Sequence, residues 1–94
     1  VLCAVDLGGR AHVEYALTIP SQKIGAFDTE LAREFFLAVA RELRLTLHLR
    51  QFSGVNSHHI LEAAFKGFGR AMKQAVSMDP GARGGVASSK GVLL

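Results

Sequence analysis

Arg10-Ala-His-Val-Glu-Tyr-Ala-Leu-Thr-Ile19 alternates apolar and polar side chains almost without a break. Ala11, Val13, Tyr15, Leu17 and Ile19 share one parity and Arg10, His12, Glu14 and Thr18 the other, the period of a strand with one buried and one wet face. Upstream, Val1 to Asp6 reads as a buried strand, and Gly8-Gly9 between the two supplies residues that tolerate positive φ in a turn. The two strands are therefore expected to form a hairpin.

Downstream, Pro20 and Ser21 end the second strand, and Gln22 to Phe27 form a loop leading to Asp28 or Thr29, either of which can cap a helix. The spacing predicts a helix from about residue 29 to residue 43, with Leu31, Phe35, Val39 and Leu43 facing the sheet. A third strand is expected from Leu45 to Phe52, with Leu45, Leu47 and Leu49 on one face and Thr46, His48 and Arg50 on the other. Ser53-Gly54-Val55 then turns the chain into a long second helix ending near Ser77. Its apolar stripe reads as Leu61, Phe65, Phe68, Met72 and Val76. After Asp79-Pro80, residues 79–94 hold four of the chain's ten glycines and read as a loop. The order β-β-α-β-α predicts an α+β fold in which a small, mainly antiparallel sheet carries two helices on one face.

Ninety-four residues suffice for one domain with a small core that gains from burial against partners. With 49% hydrophobic and 20% charged residues the chain is globular in composition. A net charge of +3 suits an anionic ligand. No basic run with interleaved aromatics argues for nucleic acid. The single cysteine, Cys3, excludes an internal disulfide and fits a small core residue on a strand. No apolar stretch approaches the ~20 residues of a membrane span, and no signal peptide is visible. The chain opens at Val1, directly in a strand-like run and without Met, as a fragment would, so residues upstream are expected to be missing.

Site chemistry concentrates in Asn56-Ser-His-His-Ile-Leu-Glu-Ala-Ala-Phe-Lys66. With Asn56 or Ser57 as the cap, His58 and His59 lie in the first turn of the second helix. Glu62 falls about 40° round the helix from His58, and Lys66 about 40° further, because residues four apart share a face. His59 points about 100° away from His58, so the two suit two ions better than one. The same residues are also compatible with a solvated surface in which Glu62 and Lys66 form an ordinary ion pair worth about 0.3–0.5 kcal/mol. Gly84-Gly85 through Ser88-Ser89-Lys90-Gly91 combines approachable backbone, hydroxyl donors and a cation, which suits phosphate, although it lacks the spacing of a nucleotide-binding loop. A simple C-terminal tail has the same composition. His12 and His48 read as structural or surface residues, because no ligand partner sits at useful spacing along the chain.

Four motifs in order carry a resemblance: Asp6-Leu7-Gly8-Gly9-Arg10; the run from Gly25 to Arg50; Asn56 to Phe68; and Ser88-Ser89-Lys90-Gly91-Val92-Leu93. Together they resemble the second half of imidazoleglycerol-phosphate dehydratase. The resemblance implies that residues 1–94 form a single domain, the second repeat of a duplicated unit with a ribosomal protein S5 domain 2-like fold, and that residues 79–94 are its substrate-binding tail. It implies removal of water from imidazole glycerol phosphate, giving imidazole acetol phosphate in histidine biosynthesis, in the cytoplasm or a plant plastid. His58, His59 and Glu62 match ligands of two manganese ions, with Glu62 also the catalytic candidate, and Glu34 stands where some relatives place a histidine ligand. Arg10, Lys66, Ser88, Ser89 and Lys90 match residues that hold the substrate phosphate. Ala87 departs from the proline found there in many relatives.

The expected partners are the absent N-terminal half-domain and identical subunits in a large symmetric assembly, with neither nucleic acid nor membrane. The alternatives are a non-catalytic, self-associating half-domain fragment without metal, and a small metal-binding protein unrelated to dehydration.

Overall fold

The computed structural model describes residues 1–77 and the backbone of residues 90–93. The elements are β1 (Leu2–Asp6), β2 (His12–Ala16), β3 (Lys23–Ile24), β4 (Phe27–Asp28), α1 (Glu30–Leu43), β5 (Thr46–Arg50), α2 (Ser57–Ser77) and β6 (Lys90–Leu93). The α+β class holds, with two helices on one face of a sheet ordered β2-β5-β1-β6. No helix among the described residues is long and apolar enough to cross a membrane.

The expected hairpin does not form. β5 lies between β1 and β2, antiparallel to β1 with Asp6 opposite Thr46, and parallel to β2 with Glu14 opposite His48. Residues 7–11 span that extra strand: a gap of about 10 Å between next-nearest strands is within the ~17 Å reach of five residues. Gly9 takes φ +87 on the way. The parallel pairing of β2 with β5 needs a long crossover, and α1 supplies it. Residues 90–93, expected as loop, instead form the edge strand β6, antiparallel to β1 with Lys90 opposite Asp6.

Asp28 and Thr29 divide the work at the start of α1. Asp28 Oδ1 accepts from the Glu30 N–H at 3.0 Å. Thr29 ties the helix to the preceding loop: its hydroxyl donates to the Ser21 and Gln22 carbonyls at 2.8 and 3.1 Å, and its N–H to Gln22 at 2.9 Å. At the other end Arg44 closes the helix in the left-handed region at φ 52.

The strand faces are as the alternation predicts. Cys3, Val5, Leu47 and Leu49 are buried under the helices, with Val13, Tyr15 and Leu17 packed beside them. The helix faces agree only in part: Val39 of α1 and Leu61, Phe68 and Met72 of α2 pack on the core as expected. In α1 the buried residues are Ala32, Phe36 and Ala40, whereas Leu31, Phe35 and Leu43 stay exposed. In α2 the buried line is Ile60, Leu61, Ala64, Gly67, Ala71 and Ala75, with Phe65 and Val76 outside it. Small residues face the sheet because they let the helix axis approach it, while Phe36 fills the gap between layers. Its ring lies 4.8 Å from Phe65, 5.4 Å from Phe68 and 6.3 Å from Tyr15.

α2 passes close to β1 at Gly67. A Cβ there would come within 2.5 Å of Cys3 Sγ. The Cys3 thiol also contacts the Ala64 carbonyl at 3.7 Å, and burial pushes its pKa up. Gly67→Ala is therefore expected to destabilise the fold by about 1–3 kcal/mol through overpacking, despite the better helix propensity of alanine. Adding Cys3→Ala should recover much of that loss in urea unfolding. An unaltered midpoint in Gly67→Ala would refute the close contact.

Candidate metal and anion site

α2 begins where the capping argument placed it. Asn56 Oδ1 accepts from the His59 N–H at 3.0 Å, and the Asn56 carbonyl accepts from Ile60 at 3.0 Å. Ser57 is not the cap but an anchor, buried, with its hydroxyl accepting from the Ser21 N–H at 2.9 Å. Both anchors fix the first turn and leave its histidines outside.

His58, Glu62 and Lys66 form a continuous stripe. His58 Nε2 lies 3.6 Å from Glu62 Oε2, and Lys66 Nζ lies 3.6 Å from Glu62 Oε1. All three side chains are at least 49% exposed, so these contacts contribute little to stability and their atoms are open to a ligand. The two histidine rings stand nearly perpendicular, 5.9 Å apart at 79°. They serve different spaces. His58 and Glu62 line a cleft of about 400 Å³ with Ile24, Phe27, Leu61 and Phe65. His59 lines a groove of about 230 Å³ with Val1, the Ser53–Asn56 turn, Ile60 and Ala63.

Glu34 lies on the exposed side of α1, with Arg33 Nη1 4.0 Å from its carboxylate. It does not converge with His58, His59 and Glu62 within one chain. Among the described residues, the trio of ligand-type side chains whose donor atoms all lie within 4.8 Å is His12, Glu14 and His48. The spacing argument missed this trio because its members meet across β2 and β5, and only the parallel pairing reveals that.

Of the anion-binding candidates, Lys66 lies on the α2 stripe, whereas Arg10 and Lys90 lie at one end of the sheet. The Arg10 carbonyl accepts from the Thr46 hydroxyl at 3.0 Å, which holds the β1–β2 link at the Asp6 end of the sheet. The Lys90 backbone stands opposite Asp6 in the β1–β6 register at that same end. His59, sharing a groove with Val1, belongs to the opposite end. The length of β1 between them is about 13 Å at ~3.3 Å per residue. Ser88 and Ser89 fall outside the described residues.

The sequence profile of imidazoleglycerol-phosphate dehydratase matches residues 1–72. The chain is 59% identical over 93 residues to the imidazoleglycerol-phosphate dehydratase of Synechococcus sp. strain CC9902, covering 99% of this chain and 46% of that protein. It is 52% identical to that of Synechococcus elongatus, with 44% of the relative covered. The crystal structure of the Staphylococcus aureus enzyme superposes with a TM-score of 0.71 at 44% identity, over 72% of this chain and 40% of that one. The Pyrococcus furiosus structure does so with a TM-score of 0.64 at 43% identity, over 71% and 38%. The chain thus spans about half the length of the relatives it matches. With the profile, the relatives and the solved folds in agreement, this chain belongs to the imidazoleglycerol-phosphate dehydratase family, a family of lyases in histidine biosynthesis.

Proposed function

We propose that this chain supplies one half of a manganese-dependent dehydratase that removes water from imidazole glycerol phosphate to give imidazole acetol phosphate. The observation that carries the reading is the start of α2, where adjacent histidines open onto two separate spaces and a carboxylate bridges one of them to a lysine. Imidazole nitrogen and carboxylate oxygen are both acceptable manganese donors, so the residues fit the ion. His58 and Glu62 would hold one, His59 would contribute to another, and Glu34 would join only if a neighbouring subunit brings it near. Bound manganese would supply Lewis-acid charge to the nitrogens of the substrate imidazole, making a neighbouring C–H bond acidic enough to break.

The chain's own groups cover the remaining tasks. Lys66 neutralises Glu62 on one side, leaving its second oxygen directed at His58. Glu62 can also take up or return a proton at the rim of the cleft. Arg10, Lys66 and Lys90, with the hydroxyls of Ser88 and Ser89, would hold the phosphate and convert its binding energy into orientation. Arg10 and Lys90 stand at the sheet end opposite His59, a separation that favours sites completed by other subunits of a symmetric assembly. The exposed Leu31, Phe35, Leu43 and Phe65 on the outer helix faces offer the apolar surface on which the other half-domain would pack.

The test is a dehydration assay on the complete protein and on this chain alone. The complete protein should lose turnover on chelation and regain it with Mn²⁺, and the isolated chain should be silent at equal concentration. Turnover indifferent to chelation, or full activity from the isolated chain, would overturn the proposal.

A further inference from the structure

The sheet face away from the helices carries a second, unrelated constellation. Glu14 on β2 stands directly opposite His48 on β5, and His12 lies two residues before Glu14, on the same face of β2. All three are exposed, and one ligand atom from each lies within 4.8 Å of the other two. The imidazole rings of His12 and His48 are 6.1 Å apart at 59°, tilted rather than stacked, so nitrogens of both can point to a common centre.

The frame beneath them is fixed by backbone. The His12 N–H donates to the Leu45 carbonyl at 3.1 Å, the Thr46 hydroxyl to the Arg10 carbonyl at 3.0 Å, and the Gln51 N–H to the Ala16 carbonyl at 3.0 Å. These bonds hold β2 and β5 in register at both ends of the trio. Tetrahedral coordination with bonds of about 2.0–2.1 Å needs donors about 3.3 Å apart. Rotation of the three exposed side chains would have to close the distance from within 4.8 Å. Arg50 lines the same depression as Glu14 and His48, with its guanidinium carbon 5.9 Å from the Phe52 ring centre.

We propose that His12, Glu14 and His48 form a binding site for a zinc-class divalent cation, independent of the residues at the start of α2. Two imidazoles and one carboxylate are the donor set of a three-ligand zinc site that keeps a fourth position for water, and they select Zn²⁺ or Ni²⁺ over Mg²⁺ and Ca²⁺. Glu14 and His48 also line a depression of about 510 Å³ with Leu2, Ala4, Ala16, Leu49 and Arg50. That leaves room for a water or a small anion on the ion.

The probe is Zn²⁺ itself, titrated into the complete protein by calorimetry with bound zinc counted by elemental analysis. H12A/H48A should lose one zinc ion per chain while keeping its manganese content. Glu14→Gln, which changes one atom on an exposed strand position, should weaken zinc at least tenfold without altering the circular dichroism spectrum. Equal zinc content and affinity in parent and both variants would overturn the site, whether all bind or none does. Loss of zinc from H58A/H59A with H12A/H48A unaffected would also overturn it, by assigning the ion to α2.

Discussion

His58→Ala combined with His59→Ala should strip the complete protein of manganese and reduce its turnover by at least about a thousandfold. Metal-assisted catalysis contributes several kcal/mol of transition-state stabilisation, and about 4 kcal/mol corresponds to three decades in rate. The fold should not share in the loss. Both rings lie outside the core, the Asn56 cap acts through backbone N–H groups that alanine retains, and alanine is the better helix former. The unfolding midpoint is thus expected to stay within about 0.5 kcal/mol of the parent. Turnover within tenfold of the parent, with manganese still bound, would remove these histidines from the site.

Phe36→Ala should act in the opposite way, leaving the site chemistry untouched and removing the fold beneath it. Phe36 is fully buried, and its ring meets Phe35, Phe65, Phe68 and Tyr15, which joins α1 to α2 and to β2 in one cluster. Truncating a buried phenylalanine costs about 3–5 kcal/mol. A small domain with about 5–15 kcal/mol in total has little left after such a loss. Urea unfolding should register it directly, and Phe35→Ala, at a position 45% exposed, should cost clearly less in the isolated chain. Equal costs for the two would mean that the ring cluster does not centre on Phe36.

Which parts of this were legible beforehand follows from what local patterns encode. Alternation along residues 10–19 told which side chains of β2 face the helices, and the structure agrees at Val13, Tyr15 and Leu17. It could not tell which strand lies alongside, because a period of two is the same beside any neighbour. The Gly8-Gly9 turn suggested β1, and β5 took that place. That single mispairing also hid the His12, Glu14 and His48 trio, whose members are close only when β2 and β5 are parallel neighbours.

On the helices the error had another origin. The i,i+4 spacing picked out Leu31, Phe35, Val39 and Leu43 of α1, and of these Val39 packs on the core while the other three stay exposed. The layer spacing instead favoured Ala32 and Ala40 around a single Phe36, leaving Leu31, Phe35 and Leu43 exposed. The start of α2 was readable because an asparagine cap and i,i+4 spacing are set within a few residues. The Ser88-Ser89 part of the tail lies outside the described residues.

The insertion of β5 between β1 and β2 also sets how far along the chain each strand reaches for its neighbours. β1 gains its described hydrogen-bonded neighbours from β5 and β6, which are remote in the chain, whereas β2, α1 and β5 form one continuous segment. Closing distant contacts costs more loop entropy than closing near ones. The β2-α1-β5 segment can therefore assemble while β1 is still without a neighbour. The strand that brings Cys3 against Gly67 is thus the one whose pairings close the longest stretches of chain, so the tight contact between α2 and the sheet depends on the most distant pairings of the fold.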